Sequence, residues 1–292
     1  MARPELKQML AERSFVGAPG VFDMISTKVA DQTDASALYV TGYGLVASHL
    51  GLPDAGLATY TDMLDRIVRI TASTTKPVIA DADTGYGGLL NVHHTIRGYE
   101  AAGVSAIQLE DQEFPKKCGH TPGRRVIPVE DMVAKIKVAD QARSSPDFLI
   151  IARTDARTSL GLEEALRRGE AFAKAGADIL FIESPESEDE MAKIGRTFDQ
   201  PLLANMVHGG STPILSAQKL KALGYLIAIY PAIGFLAMGE ALRRGYDAVI
   251  SGSDESPVPL YDFMKFSEVM GFKEIWELER QFADLEDQSD KQ

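Results

Sequence analysis

Short apolar runs, each ending in polar or glycine positions and followed by a stretch with helical apolar spacing, recur along the whole chain. That rhythm predicts eight strands, at 17–21, 37–40, 78–80, 106–109, 148–152, 179–182, 201–204 and 226–229, alternating with helices. Two of the helical faces are plain. Met63, Leu64, Ile67, Val68 and Ile70 mark one over 61–72, and Met132, Val133, Ile136 and Ala139 mark another over 130–142. Pro128 is placed like a first-turn proline before Val129, and Asn91 like an N-cap before Val92. Strands alternating with helices make a parallel sheet covered on both faces, so the class is α/β. A (β/α)8 barrel is the first choice and a doubly wound open sheet the second. Polar residues decide between them. Asp23, Thr41, Asp81, Glu110, Arg153, Glu183, Asn205 and Tyr230 each fall at or just past the C-terminal end of a strand, and a barrel gathers all such ends on one rim.

A length of 292 residues suits one barrel, expected over 1–256, with a C-terminal helical extension over 257–292. Tyr261, Phe263, Phe266, Phe272, Trp276 and Phe282 make residues 257–285 helical and sticky. This segment either covers its own barrel or packs on a neighbouring subunit, and the second is favoured. A net charge of −12 argues against nucleic acid and anionic membranes as partners, but leaves room for a small anion where a metal and a few cations dominate locally. Residues 1–15 carry no apolar run of signal length, and no stretch approaches the ~18 apolar residues of a membrane span, so a cytoplasmic protein is expected. The lone Cys118 has no internal disulfide partner.

Three segments carry candidate chemistry. Asp81-Ala82-Asp83-Thr84-Gly85 sets two carboxylates where the third strand runs out. With Glu110-Asp111 after the next strand and Asp54 in a nearby loop, up to four acids can meet on the rim. Left alone they repel, and a hard divalent cation relieves that repulsion. The ion could also hold a 2-hydroxy or 2-oxo acid. Lys116-Lys117-Cys118-Gly119-His120 surrounds one thiol with two ammonium groups and an imidazole. A buried apolar role is the usual lot of a single cysteine, but Pro115, Gly119 and Gly123 make this a loop. Gly42-Tyr43-Gly44 offers backbone N–H groups to a carboxylate, or is merely a tight turn. Arg153 is either a structural ion-pair partner or a carboxylate clamp, and its rim position favours the clamp. His93 and His94 sit on a helix away from the rim and are expected on the surface.

Together these motifs, with Gly51-Leu52-Pro53-Asp54, Leu109-Glu110-Asp111-Gln112 and Asn205-Met206, resemble the isocitrate lyase and phosphoenolpyruvate mutase superfamily, in its methylisocitrate lyase and 2-alkylmalate lyase branch. The resemblance runs from about Gly17 to Tyr230. It implies a (β/α)8 barrel, a C-terminal helix exchanged between subunits of a homotetramer, magnesium or manganese, and a loop that closes over a small di- or tricarboxylate. It implies that Asp83 binds the metal directly and that Asp54, Asp81 and Glu110 hold its waters. Thr41, Gly42, Tyr43, Gly119 and Arg153 would bind substrate, and Asn205 would meet the leaving carboxylate. Cys118 would be the acid, tuned by Lys116, His120 and Glu183, while Tyr39 matches a tyrosine that helps take the hydroxyl proton.

This chain departs from methylisocitrate lyases at Leu236, where an arginine meets the third carboxylate, and at His208, where many relatives have glutamate. A lost cation points to a dicarboxylate such as 2,3-dimethylmalate, with 2-methylisocitrate second and oxaloacetate hydrolysis third. The phosphonate branch shares the metal acids but lacks the Lys-Lys-Cys-Gly-His loop. A binding protein on a retired barrel would be expected to have lost some of these groups.

Overall fold

The computed structural model describes residues 5–119, 123–253 and 255–289, with 284–289 by backbone alone. The chain begins with helix α1 (Glu5–Ala11), strand β1 (Val16–Val21) and α2 (Met24–Asp31). Next come β2 (Leu38–Val40), α3 (Gly42–Leu50), α4 (Tyr60–Ala72), β3 (Val78–Asp81), α5 (Leu89–Ala101), β4 (Ala106–Glu110) and α6 (Val129–Ala142). The second half holds β5 (Leu149–Thr154), α7 (Ala156–Leu160), α8 (Leu162–Ala175), β6 (Ile179–Ile182), α9 (Glu188–Thr197), β7 (Leu202–Asn205), α10 (Ala217–Ala222) and β8 (Tyr225–Tyr230). Helices α11 (Ile233–Ile250), α12 (Phe263–Val269) and α13 (Phe272–Ser289) complete it. All eight strands are parallel, in sequence order, and β1 pairs with β8, so the sheet closes as a barrel and the open-sheet alternative falls.

The pleat sorts the side chains into two layers. Tyr39, Ile79, Ala106, Ile151, Phe181 and Leu203 belong to a buried cluster inside the barrel. Their neighbours Leu38, Val40, Val78, Ala80, Ile107, Ala152, Leu180 and Ala204 pack instead in the cluster beneath the helices. Leu6 and Leu10 of α1 join the inner cluster together with Ala37, Ala106 and Leu149, which begin or precede their strands, so α1 plugs the N-terminal end. Continuing the inner register by two residues leads to Thr41, Asp81, Arg153, Glu183 and Asn205, and by four from Ala106 to Glu110. The barrel interior therefore changes from apolar to charged at its C-terminal mouth.

Two expected helix starts need correction. Asn91 is the third residue of α5, not its cap; Gly88 is the cap, and its N–H donates to Asn91 Oδ1 at 3.1 Å. Pro128 occupies the cap of α6, one residue before the first turn.

The chain separates into two compact units, one ending at Phe235 and the other beginning at Leu236, a division inside α11 and earlier than the one at 256 that composition suggests. Within the second unit Tyr261 packs on Phe266 and Phe272 on Trp276, with ring centroids 5.5 and 5.9 Å apart. Its helices keep large apolar side chains exposed, including Tyr246, Val249, Phe263 and Phe282. No helix among the described residues is long and apolar enough to cross a membrane.

Candidate active site

At the mouth, Asp54, Asp81, Asp83 and Glu110 are all buried and converge on Lys116 and Arg153. The Lys116 ammonium pairs with Asp54 and lies 2.6 Å from Asp83 Oδ1. Asp81 Oδ1 accepts from the Asp83 N–H at 3.0 Å and from Gln108 Nε2 at 3.2 Å. Asp83 has a φ of +48°, a backbone state that costs a non-glycine residue free energy and that recurs at functional sites. Burial, and then the charges of Asp81 and Asp54, push the Asp83 carboxyl up to about 7 despite Lys116. Asp81 is raised by burial as well, and Glu110 is raised well above the usual carboxylate range. Burial alone would pull Lys116 down, yet the facing Asp83, Asp54 and Glu110 more than reverse it.

Four acids face the Lys116 ammonium, which pairs with only Asp54 and Asp83; Arg153 Nε is 3.4 Å from Glu110 Oε2, and Glu110 Oε1 is buried with no hydrogen-bond partner among the described residues. That deficit of positive charge, made of hard oxygen donors, fits a divalent cation. Among the described residues no three His, Cys, Asp or Glu side chains close on one point. Carboxylate oxygens are the donors that magnesium takes, with several waters kept, whereas a zinc site usually draws on Cys or His.

Beside the acids stands the N-terminus of α3, where Gly42, Tyr43 and Gly44 form the first turn. The Thr41 side chain makes no capping hydrogen bond. A Cβ on Gly42 would sit 2.7 Å from Asp81 Oδ2, so only glycine lets helix and carboxylate approach this closely. First-turn N–H groups and the helix dipole favour an anion at such a helix end.

Arg153 makes ion pairs and stands at the mouth, where a clamp would also have to be. Its Nε and Nη2 each donate to Asp155 at 2.9 Å, a bidentate pair, and its guanidinium lies 5.1 Å over the Phe181 ring. Nη2 is also 3.6 Å from Glu183 Oε2. Most of Arg153 is thus engaged in holding the wall of the site. Glu183 Oε1 accepts from the N–H and hydroxyl of Ser184, and Oε2 from Asn205 Nδ2 at 3.1 Å. Ser184, like Asp83, is non-glycine with positive φ, +60°.

The Cys118 loop bridges the two halves of this mouth. Gln112 pins it from below, its side chain accepting from Lys117 N–H at 3.0 Å and donating to Lys117 O at 2.9 Å. Lys116 reaches the acids. A Cβ on Gly119 would stand 2.4 Å from Arg153 Nη2 and 3.4 Å from Glu183 Cδ, and Ser184 Oγ donates to Gly119 O at 3.4 Å. Cys118, half-buried, is held between those two attachments. His120 lies outside the described residues.

Tyr39 is inside the barrel below the rim, its hydroxyl donating to Gln108 Oε1 at 3.0 Å. Burial, then Asp81, pushes that phenol well above its usual range. In this arrangement the Tyr39 hydroxyl is a donor. Asp23 is lost to the site, since its side chain accepts from Ser26 N–H at 2.7 Å and caps α2. Asp111, adjacent to Glu110, faces outward and accepts from Thr154 Oγ1 at 2.7 Å and Arg168 Nη1 at 2.8 Å. His93 and His94 are exposed on α5, as expected. Sequence reasoning missed Gln108, Arg124, Asp155 and Ser184. A polar residue inside the apolar run Ala106–Leu109 was the available signal for Gln108.

An acid-rich mouth on a (β/α)8 barrel, with a cysteine loop across it, defines a class, and comparison with known proteins places the chain within it. Residues 6–250 match the phosphoenolpyruvate phosphomutase family, and the chain belongs to the phosphoenolpyruvate mutase and isocitrate lyase superfamily. It is 47% identical to a 2,3-dimethylmalate lyase of Eubacterium barkeri, over 96% of this chain and 97% of that one. It is 39% identical to a 2-methylisocitrate lyase of Aeropyrum pernix, over 91% and 86%. Among solved structures, a 2,3-dimethylmalate lyase superposes with a TM-score of 0.89 at 35% identity, covering 96% of each chain. An oxaloacetate acetylhydrolase bound to 3,3-difluorooxaloacetate gives 0.90 at 32%, also over 96% of each. A phosphonopyruvate hydrolase in complex with oxalate and magnesium gives 0.86 at 29%, covering 97% of this chain and all of that one.

Proposed function

We propose that this protein is a magnesium- or manganese-dependent carbon–carbon lyase that cleaves a 2-alkylmalate, such as 2,3-dimethylmalate, to pyruvate and a saturated carboxylate. The observation that carries the reading is the bracketing of Cys118. One side of its loop is tied through Lys116 to the acid cluster, and the other through Gly119 to Glu183 and Arg153. Identity of 47% to a 2,3-dimethylmalate lyase supports the same substrate class. Asp83, with Asp54, Asp81 and Glu110 around it, would hold the ion, which would supply positive charge for the 2-oxygen and adjoining carboxylate.

The first turn of α3, with Thr41, Gly42 and Tyr43, receives that carboxylate at its N–H groups. The 2-hydroxyl would give up its proton to a carboxylate of the mouth as the bond from C2 to C3 breaks, leaving pyruvate beside the acids. Cys118 delivers a proton to C3. Glu183 and Asn205, hydrogen-bonded to each other, border the side where the second carboxylate leaves, and Arg153 keeps the wall between the two ends in place. The sequence has Leu236 where methylisocitrate lyases carry an arginine, which favours a dicarboxylate over 2-methylisocitrate; His208, exposed after β7, is the cation this sequence offers in exchange. The exposed apolar side chains of α11, α12 and α13 support a homotetramer that exchanges this extension, which light scattering on the eluted protein would test.

The deciding experiment is pyruvate release, coupled to lactate dehydrogenase, from 2,3-dimethylmalate, 2-methylisocitrate, isocitrate and oxaloacetate, with and without magnesium. Metal-dependent pyruvate from dimethylmalate, lowered about 10²–10⁴-fold in Cys118→Ser, is expected. Turnover of 2-methylisocitrate without dimethylmalate would move the substrate, and release of oxalate and acetate from oxaloacetate would move the reaction to hydrolysis.

A further inference from the structure

Strand β4 carries a carboxamide in the barrel interior. Gln108 is fully buried and shares the inner register with Ala106 and Glu110. An amide there costs about 1–3 kcal/mol for each group left unpaired, so its hydrogen bonds identify its purpose. Both ends of it are used, and both partners stand on the β2 and β3 side of the barrel wall. Nε2 donates to Asp81 Oδ1 at 3.2 Å, directly across the ladder in which Asp81 and Gln108 are register partners. Oε1 accepts from the Tyr39 hydroxyl at 3.0 Å.

The orientation of the amide follows from a third contact. Asp81 Oδ1 also accepts from the Asp83 backbone N–H at 3.0 Å, so that oxygen is an acceptor and the group facing it must be the NH2. The carbonyl end then faces Tyr39, which must donate. Held by two donors, Oδ1 is fully used. The carboxylate is locked in torsion, and Oδ2 is the oxygen presented toward Gly42, 2.7 Å from where a Cβ would stand.

We propose that Gln108 is a positioning residue that sets the torsion of Asp81 and so aims Oδ2 at the metal shell, with Tyr39 anchoring its far end. The inference rests on the reading that Asp81 belongs to that shell. It explains why the strand interrupts its apolar pattern where an aliphatic side chain would fill the same space. An aliphatic residue would leave Tyr39 and Asp81 without their partner, and a glutamate would set a second acceptor against Oδ1. Bridging a phenol and a carboxylate requires an acceptor and a donor on one side chain.

The test is a titration of substrate-free, full-length protein with Mn²⁺, following free ion by electron paramagnetic resonance, for wild type, Gln108→Met and Tyr39→Phe. Gln108→Met keeps the volume and removes both hydrogen bonds, and is expected to weaken Mn²⁺ binding about tenfold. Tyr39→Phe, which frees only the far end, is expected to weaken it about threefold. A packing role alone would lower the melting temperature and leave Mn²⁺ affinity where it was, so unchanged affinity in a cooperatively folded Gln108→Met overturns the inference. If that variant does not fold, unchanged affinity in Tyr39→Phe overturns it instead. Wild-type protein that binds no Mn²⁺ overturns the metal reading itself, and this inference with it.

Discussion

Two clusters of buried charge lie within a few residues of each other and are built on opposite plans. At the mouth, Asp54, Asp81, Asp83 and Glu110 share the Lys116 ammonium and one edge of Arg153. In the wall behind it, Asp111 and Asp155 are met by Arg124, Arg153 and Arg168, at 2.5 to 2.9 Å. Burial taxes both sets alike, but the outcomes differ. Asp155 sits below the usual carboxylate range because Arg153 and Arg124 more than offset its burial, whereas Asp83 rises to about 7. Asp111 is intermediate, raised to about 6 by burial and by Asp155 even with Arg168 beside it. A neutralised cluster is scaffold; a cluster left short of cations has been kept ready for one that the chain does not encode.

Substitutions should separate the two plans by sign. Asp83→Asn removes one of the two acids paired with Lys116, and turnover is expected to fall on the order of 10³-fold with Mg²⁺ present. The metal-free protein should melt no lower than wild type, because a repelling buried carboxylate has gone. A clear drop in its melting temperature would place Asp83 with the scaffold. Arg168→Met does the reverse. It strips Asp111 of its cation and the Ile127 carbonyl of a donor, and should cost about 3–5 kcal/mol in denaturant unfolding while the surviving folded enzyme turns over near the wild-type rate.

Next in size is Gly42→Ala, whose added methyl must displace Asp81 Oδ2. Turnover is expected to fall about 10–100-fold, with little change in melting temperature, since the rim is polar and open on one side. An unaltered rate would mean that Asp81 can move without cost.

How much of this was legible in the sequence depended on register. All eight strands were, because each run is apolar in both layers of a sheet buried on both faces, and the residues two steps past the inner layer carried the chemistry. What periodicity alone could not say is which of two adjacent acids turns inward. Glu110 and Asp111 read alike in the chain, yet the pleat sends one to the mouth and the other to α8. Asp23 was misread because a short polar side chain at an element's end serves either a site or a helix cap, and Asn91 because the same side chain can serve the cap from the third helical position as well as from the cap itself. Gln108 stayed hidden because its two partners, Tyr39 and Asp81, lie 69 and 27 residues away.

The smallest expected effect is a pH dependence, and its sign sharpens the comparison. With a folded value of about 7 against 3.8 unfolded, Asp83 holds its proton in the native state over a window where the unfolded chain has released it. Stability of the metal-free protein should therefore fall as pH climbs from about 4 to about 7. Asp155, depressed, contributes the opposite slope: its stabilisation is present above the unfolded value and is lost only as pH drops below it. A divalent ion binds the ionised carboxylate, so Mg²⁺ affinity should strengthen with pH and level off above about 7, falling toward tenfold per unit below. Melting curves from pH 5 to 8, with and without Mg²⁺, read both slopes. In Asp83→Asn the metal-free slope should flatten; if it persists unchanged, the titrating group at the mouth is another acid, and Glu110, also raised by burial, is the next to replace.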